Sequence, residues 1–147
     1  MQFNSKIFKE LSVNEIYEIL KAREIIFLLE QNIICQDIDD KDKESLHCFL
    51  NDGDNLVAYL RAYECEEGIA IGRVLTLEHK KGLGRELILK SVDAIKNHFN
   101  CSKIYAHAQK QAEGFYKKLG FETVSDEYLE EGVVHVTMVK NLIEVNR

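Results

Sequence analysis

The stretch that most constrains this chain is residues 69–99, IAIGRVLTLEHKKGLGRELILKSVDAIKNHF. It opens on a branched apolar run, residues 69–77, that reads as a strand. A short basic turn with two glycines follows, His79-Lys80-Lys81-Gly82-Leu83-Gly84. Beyond it Leu87, Ile88, Val92, Ile95 and Phe99 recur three or four apart, which gives a helix over 84–99 one apolar face. The first N–H groups of such a helix lack internal partners and sit at the positive end of its macrodipole. Gly82 and Gly84 clear side chains from the approach, and Lys80, Lys81 and Arg85 add full charges. The turn suits a phosphate or pyrophosphate. An ordinary strand-to-helix turn reads equally well from this stretch alone.

A length of 147 residues predicts a single domain over 1–147 with a real core. No apolar run approaches the ~20 residues that span a bilayer. The opening MQFNSKIFKELS lacks a basic-then-apolar signal pattern, so the expectation is a cytoplasmic protein with no membrane partner. A net charge of -6 argues against general nucleic-acid binding, which wants a basic face. Cys35, Cys48, Cys65 and Cys101 are too scattered for a zinc site and read as reduced structural thiols. With no proline, turns must come from Gly, Asn and Asp.

Residues 3–11 alternate loosely and predict a first strand. A helix follows, capped by Ser12 or Asn14, with Ile16, Ile19, Leu20, Ile26 and Phe27 as its core stripe and an end near Glu30 or Gln31. Residues 32–45 read as a solvated polar loop. Its acids, Asp37, Asp39, Asp40, Asp42 and Glu44, lack the spacing of a calcium-binding loop, so no metal is expected. Asn51-Asp52-Gly53-Asp54-Asn55 is a hairpin turn between two strand-like runs, and Glu66-Glu67-Gly68 is a second turn. Three antiparallel strands therefore precede the glycine turn. Residues 103–108 predict a short strand and 109–119 a helix, with Gly120 where a terminating glycine belongs. Residues 121–124 and 133–139 predict two last strands, with the polar turn DEYLEEG between them. The fold class is α/β: a mixed sheet of six to seven strands flanked by three to four helices.

That order, with the glycine turn after the fourth strand, resembles the GNAT family of acetyl-CoA-dependent N-acetyltransferases. A second segment, AQKQAEGFYKKLGF at 108–121, looks like the family's other signature: an amide, an alanine, an aromatic pair and a glycine-phenylalanine end. Residues 25–47 and 128–138, YLEEGVVHVTM, are similar to ElaA-like members of the family. The family usually places arginine and glycine before its G-x-G. Here the connection is shorter, and either His79 or Lys80 takes the arginine's place.

The resemblance implies acetyl-CoA as cofactor. It implies that Lys81, Gly82, Leu83, Gly84, Arg85 and Glu86, with His79 and Lys80 beside them, hold its pyrophosphate. Val74, Leu75 and Thr76 would hold the pantetheine arm by strand-like hydrogen bonds, with Gln109, Phe115 and Tyr116 also against the cofactor. Tyr116 falls where many members carry a tyrosine that protonates the departing thiolate; packing in the core is its alternative. Glu30, His47 and His135 are candidates for the base or for substrate recognition, and Gln31 joins them on the substrate side. A histidine suits proton transfer near neutrality. The implied activity is N-acetyltransfer to a small-molecule or peptide amine by direct attack in a ternary complex. A non-catalytic CoA-binding module is the alternative. A nucleotide binder lacks its G-x-x-x-x-G-K-S/T pattern. The acidic loop and Glu30 hint at a cationic amine, and the family's pairing through sheet edges leaves a homodimer as an expectation.

Overall fold

The structure, a computed structural model, describes residues 1–78 and 82–142. Strand β1 spans Gln2–Ile7. The strand expected over 3–11 stops early because Phe8–Glu10 coils into a tight turn, in which the Glu10 carboxylate accepts the Ile7 N–H at 2.9 Å. Helix α1, Val13–Arg23, starts at Ser12. Ser12 Oγ accepts the Glu15 N–H at 3.0 Å and the Glu15 carboxylate accepts the Ser12 N–H at 2.8 Å, a reciprocal pair that satisfies two end donors. The helix then widens into a π-helical stretch, Glu24–Glu30.

Strands β2 (Leu46–Asp52), β3 (Asn55–Glu64) and β4 (Ile69–Thr76) form the antiparallel meander. Helix α2 is Leu83–Phe99, β5 is Lys103–Gln109, α3 is Glu113–Lys118 and β6 is Glu122–Thr123. The segment DEYLEEG is more than a turn. Its Tyr128–Glu130 is a strand, β7, paired with β8 (Val133–Asn141) around Glu131 and Gly132. Both turn residues have positive φ, 50° and 76°, the backbone of a two-residue hairpin. The sheet has eight strands, in the order β1-β2-β3-β4-β5-β8-β6 with β7 on β8. That is a mixed sheet with α-helices on both faces, one strand more than the sequence suggested.

Helix α1 and its π-helical extension pack Ile19, Ala22 and Ile26 on Phe49, Tyr59 and Leu75. On the other face α2 and α3 bury Leu87, Ile88, Ile95, Tyr116 and Leu119 against Cys48, Leu50, Leu60, Ile104 and Met138. The end of α3 follows from Gly120, at φ +92°. The Phe121 N–H reaches the Tyr116 carbonyl and the Gly120 N–H the Lys117 carbonyl, both at 3.1 Å, while the Phe121 and Tyr116 rings meet at 5.4 Å. This is a glycine-terminated helix with its hydrophobic clasp.

One seam positions everything that follows. Strands β4 and β5 run parallel and share two residue pairs, Ala70–Tyr105 and Ile71–Ala106. Beyond Ile71 they part. At the same place β4 bulges: Leu75 faces Tyr59 and Gly72 faces Arg61, so Arg73 and Val74 together oppose Leu60. Arg73 takes the left-handed φ of 52°.

Candidate active site

The parting strands open a cleft of about 530 Å³, lined on one wall by Gly72, Arg73 and Val74 and on the other by Ala106, His107, Ala108 and Gln109. The end of the α1 helix contributes Phe27 and Gln31, the β7–β8 hairpin contributes Glu130, Glu131 and His135, and Tyr116 closes the α3 side. Strand alternation decides which backbone groups face the opening. The Leu77 N–H bonds the Val57 carbonyl at 2.8 Å, so in register Leu75 also pairs toward β3. Val74 and Thr76 then turn their N–H and C=O groups to the gap. Leu75 has its side chain 4% exposed in the α1 cluster, so it supports this edge and does not present it.

At the foot of the gap stands the start of α2. Gly82 is its cap residue at φ +87°, and a Cβ there would meet nothing within 4 Å. The positive φ is what demands glycine here. Gly84 has a different reason: a Cβ would sit 3.2 Å from the Phe115 ring and 3.9 Å from Thr76. That glycine lets α3 close on the helix start; it does not clear a path for an anion. The Glu86 N–H bonds the Gly82 carbonyl at 2.9 Å, and its carboxylate holds Lys90 at 2.8 Å. Glu86 therefore leaves the anion-binding set, while the amides of Leu83, Gly84 and Arg85 come before the first intrahelical bond and are free of it. His79, Lys80 and Lys81 lie outside the described residues.

The proposed proton carriers separate clearly. His47 is buried outside the cleft, beside a second cavity of about 140 Å³. Its Nε2–H donates to the Asp42 carbonyl at 2.8 Å and its Nδ1 accepts the Tyr59 hydroxyl at 2.7 Å. Burial pushes its pKa down, more than the Asp42 carbonyl pushes it up, so the ring is neutral with both nitrogens engaged. It can be neither base nor substrate ligand. Glu30 is exposed at the end of the π-helical stretch and does not line the cleft, although its neighbour Gln31 does. His135 does line it. Its Nδ1–H donates to the Val133 carbonyl at 2.7 Å, which leaves Nε2 as the basic nitrogen, 3.6 Å from the Glu130 carboxylate. Gln109 ends β5 and its Nε2 donates to Gln31 Oε1 at 2.8 Å, tying that wall to the end of the π-helical stretch. Tyr116 is 6% exposed, and burial raises its hydroxyl well above the ordinary tyrosine value.

The acidic loop is solvated only in part: Asp40 and Glu44 stay exposed, while Asp37, Asp39 and Asp42 turn inward. Arg23 and Arg61 are each 1% exposed, and the loop folds its carboxylates onto them. Asp39 binds Arg61 at 2.6 and 2.7 Å. Asp42 Oδ1 accepts from Arg23 at 2.7 Å and from Arg61 at 3.0 Å. Asp37 joins Arg23 to Arg73. Desolvation would raise the Asp39 carboxyl, but the hydrogen bond and charge of Arg61, with Arg73 behind, hold it at about 2. These carboxylates are neutralised from within, which removes them as an argument for a cationic acceptor. Sequence reasoning missed the three arginines. The signal was there: Arg23 falls in register with Ile19 and Ile26, and Arg61 interrupts the apolar run LVAYLRAY.

A mixed sheet opened at one seam, with the start of α2 at its foot, defines an α/β protein with a cleft between β4 and β5. The sequence matches the acetyltransferase (GNAT) domain over residues 26–142. The chain belongs to the GNAT acetyltransferase family, and acyl transfer is the general chemistry that membership carries. It is 36% identical over 143 residues to a UPF0039 protein of Schizosaccharomyces pombe, covering 94% of this chain and 95% of that one. It is 34% identical to protein ElaA of Escherichia coli K12, over 92% of this chain and 93% of that one. The crystal structure of Escherichia coli ElaA superposes with a TM-score of 0.89 at 31% identity, over 96% of this chain and 100% of that one. An acyl-CoA N-acyltransferase from Pseudomonas aeruginosa gives 0.88 at 28% identity, over 95% of this chain and 99% of that one. Among the described residues no helix is long and apolar enough to cross a membrane.

Proposed function

We propose that the protein transfers the acetyl group of acetyl-CoA directly to a primary amine in a ternary complex. The single observation that carries this reading is the seam: β4 abandons β5 after Ile71 and leaves a strand edge leading to the start of α2. The residues present fit the cofactor. The amides of Leu83, Gly84 and Arg85 have no intrahelical acceptor, and a Cβ at Gly82 would meet nothing within 4 Å, features that suit a pyrophosphate. The gap-facing groups of Val74 and Thr76 match the amides of an extended arm. Bound acetyl-CoA supplies an acyl group activated as a thioester.

The chain's own part is positioning and proton handling. The Val74 N–H is the preorganised donor for the oxygen on which charge develops. His135 takes the amine proton at Nε2, and Glu130 pairs with the imidazolium that results. Tyr116 keeps its proton at neutral pH because it is buried, and holds it for a departing sulfur. Two cysteines, Cys35 and Cys65, line the cleft. Burial pushes the Cys65 thiol up, and its Sγ donates to Glu67 at 3.3 Å.

Calorimetric titration with acetyl-CoA tests the cradle, and Arg85→Glu should weaken binding. With an amine panel, His135→Gln and Tyr116→Phe should each lower kcat by about a hundredfold or more while CoA affinity holds. A folded wild type that binds no CoA would overturn the reading. Binding without turnover on any amine would leave a CoA-holding module.

A further inference from the structure

The bulge in β4 rests on a residue that should not favour it. Arg73 sits at φ 52°, a left-handed conformation that its Cβ disfavours. Something must hold it, and the side chain shows what. Arg73 Nε donates to Asp37 Oδ1 at 2.8 Å and Nη2 donates to the Asp37 carbonyl at 3.1 Å. Asp37 is itself gripped from behind. Arg23 Nε donates to its Oδ2 at 2.9 Å and Arg23 Nη2 to its carbonyl at 2.6 Å. Arg23 is buried and anchored in turn by Asp42. Both carboxylate oxygens and the backbone carbonyl of one aspartate therefore link α1 to the bulge.

We infer that Asp37 is a positioning residue for acyl transfer: it locks the left-handed conformation of Arg73 and so aims the Val74 N–H into the cleft. The inference rests on the acetyl-transfer reading for its kinetic consequence, but not for its structural one. Asp37 touches no reacting atom in this scheme; it acts through Arg73. The grip is lopsided in a telling way. Arg73 remains partly exposed on the cleft wall while Arg23 is sealed inside, so the loop transmits a fixed point of the core to the one strand segment that has lost its neighbour. Neighbouring β4 residues have β3 to hold them; the bulge has the clamp.

The test exploits glycine. A glycine at position 73 adopts positive φ without help, so Arg73→Gly should make the clamp dispensable. Asp37→Ala should lower kcat for acetyl transfer to spermidine, or to the best amine of the panel, by about tenfold to a hundredfold. Its CoA affinity by calorimetry should fall by a smaller factor than kcat, because Val74 meets only part of the arm and the α2 cradle is remote from Arg73 in its contacts. Arg73→Gly should lose less, and adding Asp37→Ala to it should bring no further loss. The amide resonance of Val74 should shift in Asp37→Ala and should be the same in Arg73→Gly with and without the Asp37 change. Asp37→Asn, which keeps one side-chain acceptor beside the backbone carbonyl contacts that both variants retain, serves if Asp37→Ala melts. A double variant as slow as Asp37→Ala, or a Val74 amide that does not respond to Asp37→Ala, would overturn the inference. A wild type that fails to bind CoA would sink the acetyl-transfer reading alone, since the amide resonance still judges the clamp.

Discussion

Replacing Asp42 should separate the worth of a buried charge from the worth of its hydrogen bonds. Its Oδ1 receives both guanidiniums, Arg23 at 2.7 Å and Arg61 at 3.0 Å, while Oδ2 has no hydrogen-bond partner among the described residues. An asparagine can therefore place its oxygen where Oδ1 lies and its NH₂ where nothing is required. Asp42→Asn keeps two bonds and loses their charge assistance, about 1 kcal/mol each and so about 2 kcal/mol in all. Asp42→Ala removes the anion from between two buried cations, which costs about 3–5 kcal/mol. For a chain of this length the melting temperature should fall by about 5 °C and about 10–15 °C respectively. Thermal melts by circular dichroism at pH 7 read both. The pH dependence fixes the cause. Although desolvation opposes it, Arg23 and then Arg61 hold the folded carboxyl below its ordinary value of 3.8. A depressed carboxyl stabilises above the unfolded value and loses that contribution as pH falls through the folded one. Wild type and Asp42→Ala, far apart at pH 7, should converge as the pH drops below 3.8. An Asp42→Asn protein as unstable as Asp42→Ala, or a gap that persists at acid pH, would refute the reasoning.

Two further outcomes follow from the geometry. His47→Gln should destabilise by about 1–3 kcal/mol, because the Tyr59 hydroxyl and the Asp42 carbonyl lose a fitted partner. Specific activity per folded molecule should not change, and a lost kcat at full folding would return His47 to the active site. Gly120→Ala should lower the melting temperature by about 3–6 °C. Its φ of +92° disfavours a side chain, and the new Cβ would come 2.6 Å from the Lys140 ammonium that donates to the Leu119 carbonyl.

What the sequence disclosed, it disclosed through periodicity and punctuation. The strand, turn and helix of residues 69–99 are legible because a branched run, a glycine pair and a 3.6-residue stripe say different things in succession. Gly120 and the NDGDN turn are legible because few other residues tolerate those conformations. The β7 strand was hidden, since three residues flanked by acids carry no period. The bulge was hidden too: one extra residue in β4 leaves no mark on composition. The charged groups failed for a shared reason. Arg23, Arg61 and the aspartates look solvated one by one, and only the folding of the loop onto α1 and β3 shows that they satisfy each other. Telling His47 from His135 required knowing which side of the sheet the cleft occupies, and alternation along a strand does not say which face will open.

The seam has a consequence for the life of the molecule between turnovers. Strands β1–β4 and β5–β8 meet through two rungs, Ala70–Tyr105 and Ile71–Ala106. An elongated guest lying along the parted edges supplies the missing rungs, and anything bound to the native chain alone adds to its stability, about 2.7 kcal/mol at a hundredfold excess over Kd. With two rungs at this seam, the empty protein should open there first and exchange its amides fastest there. Supply of the guest should then govern more than reaction rate: protection from proteolysis should rise with its concentration.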